Sequence, residues 1–100
     1  MYSIQVQKIW AGVSMKTALV RELEKSYTKI ESWLTPETLQ RCKEKYMLDP
    51  PDFGLGAMIK LRLLRPRSIL YKLFVREGCF LRDEMTQTIL GGFSRYLHGE

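Results

Sequence analysis

Few residues in this chain have the types and spacing that chemistry requires. Proton transfer and nucleophilic attack draw on histidine, cysteine or carboxylates held by supporting groups. The one histidine, His98, stands near the end of the sequence, where chains commonly fray. Cys42 and Cys79 are the two cysteines, and they lack Cys-x-x-Cys spacing. Cys42 falls on the apolar side of a helical pattern and Cys79 precedes the apolar pair Phe80-Leu81, so both read as small hydrophobes. Two cysteines and one histidine do not make the four-ligand set of a structural zinc site. Gly54-Leu55-Gly56 resembles the start of a phosphate-cradling turn, but the dinucleotide pattern needs a third glycine where Ile59 stands. No Gly-Lys-Ser/Thr follows either. A chain without catalysis, cofactor, metal or small-molecule substrate is expected.

Charge carries more information. Residues 1–52 hold eight basic and seven acidic side chains, whereas residues 53–100 hold eight basic and four acidic. Between Phe53 and Arg76 no acid occurs, while Lys60, Arg62, Arg65, Arg67, Lys72 and Arg76 supply six positive charges. Four of these are arginines, whose planar fork suits bidentate contact with carboxylate or phosphate. Arg65-Pro66-Arg67 holds two such forks on a stiffened connection.

Three binding chemistries fit that segment. It could grip nucleic-acid phosphates, with Tyr71 and Phe74 as stacking candidates that are also explained as core. It could meet an acidic protein surface, with Met58, Ile59, Leu61, Leu63 and Leu64 as apolar anchors among the arginines. It could lie on a membrane surface with its cations snorkelling. The plainest account makes the leucines core and the charges solvated, which explains less well why acids are missing over 24 residues.

These side chains need elements to position them. Tyr2, Ile4 and Val6 alternate with polar residues, the period of a half-buried strand over 2–10, broken at Gly12. Ser14 then offers a cap for a long amphipathic helix with Met15, Leu19, Leu23, Tyr27, Ile30 and Leu34 on one side. Thr35-Pro36-Glu37 reads as the start of a second helix, supported by a Glu37–Arg41 pair. Leu39, Cys42 and Tyr46 share its apolar face, and Asp49-Pro50-Pro51-Asp52 stops it near Met47. The short connection predicts an antiparallel helical hairpin.

Residues 57–76 admit two forms. Ile59, Leu61 and Leu63 alternate as a strand would, and a hairpin of 58–64 and 69–75 turning at Arg65–Ser68 is one solution. Ser68 as cap and Gly78 beyond the end instead frame a helix, and the turn lacks Asn-Gly or Asp-Gly chemistry. The helical form is preferred. A final helix carries Leu81, Met85, Ile89, Phe93, Tyr96 and Leu97, with Gly91-Gly92 marking a break or a close approach.

Together these imply a single domain over 1–100, mainly α, a small helical bundle with an N-terminal extended segment. The alternative is α+β, with a small antiparallel sheet from 2–10 and 58–75. At 100 residues with 45% hydrophobic side chains, the chain fills a core and has apolar surface to spare. Its net charge of +5 favours acidic partners. The opening MYSIQVQKIW shows neither a basic n-region nor a long apolar h-region, and no asparagine offers a glycosylation site. No apolar run reaches the roughly 18 residues of a membrane span. A cytoplasmic or nuclear protein is expected, binding a larger protein or itself, with nucleic acid as the alternative partner.

Overall fold

The computed structural model describes residues 10–99, of which 10–17 are described as backbone alone. Five α-helices follow one another: α1 (Trp10–Trp33), α2 (Pro36–Glu44), α3 (Leu55–Arg62), α4 (Ile69–Arg76) and α5 (Arg82–Leu97). A 3-10 turn over Asp52–Gly54 leads into α3. No strand occurs among the described residues, so the mainly α reading holds and the 58–75 hairpin is overturned. The expected extended segment lies outside the described residues, apart from Trp10, which already belongs to α1.

Helix α1 begins four residues before Ser14, which therefore sits inside it rather than capping it, and Gly12 does not break it. The other boundaries follow local chemistry. Thr35 Oγ1 accepts from the Thr38 amide at 3.1 Å, with Pro36 at the first helical position. Ser68 Oγ accepts from the Tyr71 amide at 3.1 Å and donates to the Leu63 carbonyl at 2.8 Å, which ties the end of α3 to the start of α4. After α4, Gly78 takes φ +90° while its amide reaches Val75 and that of Cys79 reaches Phe74. This is the Schellman pattern, and it needs the left-handed backbone that glycine adopts without strain.

Helix α5 is the hub. Met85, Ile89, Leu90 and Phe93 are fully buried and meet Ile30 of α1, Cys42 of α2 and Leu55 and Ile59 of α3 in one core. The expected α1–α2 hairpin does not form: α2 packs on α5, because α1 commits its apolar side to α4 and α5. Helix α2 also stops at Glu44, which leaves Tyr46 beyond its end and exposed. Arg41 lies over the ring of Phe53 at 5.8 Å, in place of the expected pair with Glu37.

The 49–56 connection is held by its own hydrogen bonds. The Asp52 carboxylate accepts from the Asp49 amide at 2.8 Å and from Lys45 Nζ at 2.9 Å. Gly56 presses on Pro50, whose carbonyl would lie 2.7 Å from an added Cβ. The Gly56 amide donates to that same carbonyl and the Gly54 amide to Pro51. Both glycines of Gly54-Leu55-Gly56 are thus explained by a tight turn, and their amides are not directed at a phosphate.

Candidate partner-binding surface

The six basic residues singled out between 60 and 76 do not share one face. Lys60, on α3, pairs with Asp83 at the start of α5, and Arg82 Nη2 donates to the Lys60 carbonyl at 3.2 Å. Its charge is answered, and it faces the α3–α5 seam. Arg62 leaves α3 on another side and lies over Trp33 of α1, 5.0 Å from the ring centroid. An exposed cation–π contact of this kind contributes about 0.5–1 kcal/mol and fixes the guanidinium in position.

Arg65 and Arg67 stand exposed on the turn between α3 and α4. Arg65 Nε donates to the Leu61 carbonyl at 3.0 Å, a contact that satisfies one of the open carbonyls at the end of α3. Arg67 makes no hydrogen bond or ion pair with any described residue. Lys72 and Arg76, one turn apart on α4, border a groove of about 440 Å³ whose walls include Ile69, Leu73 and Val75. A smaller recess of about 140 Å³ opens on the other side of Ile69, between Ser26 and Lys29 of α1 and Arg62.

Ile69 is therefore the shared centre. It is the first residue of α4, it is 64% exposed, and it borders both hollows. Around it the fold gathers Arg62, Lys72 and Arg76, with the Arg65–Arg67 turn just before it in the chain; Lys60 is set apart.

The apolar anchors differ from those expected. Ile59 within α3 and Leu63 and Leu64 just past its end are buried in the common core, and Met58 is half-buried against it. Only Leu61 of that set is exposed, at 64%. Phe74 is buried and Tyr71 half-buried, so Phe74 is not a base-stacking platform. Phe80 and Leu81 are exposed before α5, although the apolar spacing places Leu81 on the buried side of the last helix. The signal that could have found them is the segment between Gly78 and the acidic start Asp83-Glu84, where nothing requires helix.

The residues considered for chemistry are occupied otherwise. Cys42 is buried, and burial pushes its thiol up from the ordinary range; burial does the same to Cys79. A His98 ring nitrogen lies 2.9 Å from the Lys45 carbonyl. No group of three or more His, Cys, Asp or Glu side chains converges on a metal-sized site among the described residues. No helix among them is long and apolar enough to cross a membrane.

Comparison with family models, curated proteins and solved structures finds no match to the chain. Its functional reading therefore rests on geometry and charge.

Proposed function

We propose that this chain is a stoichiometric binding module, an adaptor or regulatory subunit rather than an enzyme. In this reading it holds an acidic protein surface against the face centred on Ile69. The observation that carries it is the pairing of an exposed aliphatic and an apolar groove with a surrounding set of cations. Lys72 and Arg76 border the groove, Arg62 and Lys29 border the smaller recess together with Glu22, and Arg65 and Arg67 stand exposed on the turn that precedes Ile69. Interface centres favour arginine and large apolar side chains, and a rim of charge speeds the encounter and sets partner choice. Action in the cytoplasm or nucleus suits the composition.

Nucleic acid is the second reading, favoured by the exposed Arg65-Pro66-Arg67 turn, which could grip phosphates. The two differ in salt response. Each phosphate neutralised adds close to one unit to the slope of log affinity against log salt, while an interface anchored by Ile69 keeps most of its strength.

The test uses two designed helical peptides with the same leucine stripe, one flanked by glutamates and one by lysines, beside a generic DNA duplex. The glutamate peptide should bind and the lysine peptide should not. Arg65→Glu with Arg67→Glu should weaken that binding on the order of tenfold, about 1.4 kcal/mol, with the helical spectrum unchanged. Binding of the duplex alone, with a steep salt slope, would move the assignment to nucleic acid.

A further inference from the structure

We propose that a second copy of this chain docks in the groove between α1 and the end of α5, on the side that carries Val20 and Tyr96. This surface is separate from the Ile69 face and does not depend on the function assigned to it.

The groove is framed by two matching stripes. Helix α1 supplies Val20, Leu23, Glu24 and Tyr27; Gly92, Arg95 and Tyr96 of α5 follow, with Gly99 just beyond. Val20, Leu23, Glu24 and Tyr27 step by three, one and three residues, and Gly92, Arg95 and Tyr96 by three and one, the spacing that lines one side of a helix. Two such ridges with about 560 Å³ between them make the seat into which a third helix packs.

The seat is preformed. The Tyr27 ring lies over Gly92, so closely that an added Cβ would fall 1.8 Å from its hydroxyl oxygen, and this closes the floor. The Tyr96 ring stands 5.6 Å from that of Tyr27, and its hydroxyl donates to Glu31 Oε1 at 2.7 Å, which sets the rim. Val20 is nevertheless 51% exposed and Tyr96 39% exposed, so apolar surface is left for something to cover.

Charge identifies the occupant. Among the described residues that line it, the groove carries one acid, Glu24 on α1, and one base, Arg95 on α5. Neither makes a hydrogen bond or ion pair with a described residue, although both act electrostatically on the Tyr27 hydroxyl. A face that sets one charge of each sign on opposite walls, neither paired among the described residues, is complementary to itself. Twofold pairing sets Glu24 of each copy toward Arg95 of the other, the reciprocal contact that an isologous interface requires. An acidic partner of the kind that suits the Ile69 face finds no net positive charge here. The net +5 of each copy opposes association only weakly, because salt at about 0.1 M screens charges beyond roughly 10 Å.

The test is light scattering after size-exclusion chromatography of the full chain, followed by complementation in trans. The wild-type chain should elute as a dimer at tens to hundreds of micromolar. Glu24→Arg alone and Arg95→Glu alone should each weaken self-association at least about tenfold, because like charges then face each other in both contacts. An equimolar mixture of the two variants should recover the dimer. In the mixed pair the two substituted side chains face each other with opposite charge, and the two native ones do the same. Val20→Lys, at an exposed position, should give a monomer with an unchanged helical spectrum. A monomeric wild type, a dimer indifferent to both charge variants, or a mixture that fails to re-form the dimer would each overturn the proposal.

Discussion

Ser94 shows how a single hydroxyl decides a loop. Its Oγ donates to the Leu90 carbonyl at 2.8 Å within α5 and accepts from the Leu48 amide at 3.0 Å. Leu48 is buried in a segment without regular structure, so its N–H has no helical neighbour to satisfy it. Ser94→Ala should leave that amide unpaired in the core and cost about 1–3 kcal/mol, far more than removing an exposed hydroxyl. A lowered urea midpoint for Ser94→Ala, against little change for the exposed Thr88→Ala, checks this. An equal effect of the two substitutions would mean that water reaches Leu48.

At the scale of elements, Gly91-Gly92 is the informative pair. The sequence allows either a break in the last helix or a close approach, and the structure shows a continuous α5 with the approach at one glycine only. An added Cβ at Gly91 meets nothing nearer than an Arg95 nitrogen at 3.9 Å, while at Gly92 it would strike the Tyr27 ring. Gly91→Ala should therefore stabilise by up to about 1 kcal/mol through helix propensity. Gly92→Ala gains the same propensity but must displace an aromatic ring, and overpacking typically costs about 1–3 kcal/mol. Thermal melts of the two variants should move in opposite directions; a stabilised Gly92→Ala would show that Tyr27 leaves its place readily.

For the whole molecule, stability should fall away at both ends of the pH scale for different reasons. The Asp49 amide, then Lys45, hold the Asp52 carboxyl below the usual range, and the hydrogen bond from Lys60 does the same for Asp83. Depressed carboxyl values contribute stability above the unfolded value near 3.9, and it is lost as pH falls through the folded values. Burial raises the Tyr27 hydroxyl, and the hydrogen bond to Glu31 raises that of Tyr96. Their contribution is complete below the ordinary tyrosine value near 10 and is lost as pH climbs through the raised values. Urea midpoints from these groups should be level between about pH 5 and 9 and drop beyond both limits. Asp52→Ala should lower the neutral midpoint and flatten the acid limb, and Tyr96→Phe should flatten the alkaline one.

The elements legible in the sequence are those decided by neighbours within a few residues. Thr35-Pro36, Ser68 and Gly78 each announce a helix boundary by chemistry that acts over one turn, and all three stand where expected. The start of α1 and the placement of α2 were not legible that way, because the first overrides a competent cap at Ser14 and the second depends on where α5 lies. Residues 57–64 fit both periods, and burial of Leu55 and Ile59 on one side of α3, in the core shared with α5, selected the helix. The basic residues could be counted in the sequence but not grouped, since a helix sends Lys60 and Arg62 to different sides. Sequence alone determined the helices around Thr35-Pro36, Ser68 and Gly78 and the acid-free stretch of positive charge, all local or compositional quantities, while the choice of mainly α over α+β waited on packing. Tertiary structure alone decided that Ile69 stays exposed, that Tyr27 closes over Gly92 and that Glu24 and Arg95 border one groove. Those depend on contacts between residues far apart in the chain, which packing of the common core brings together.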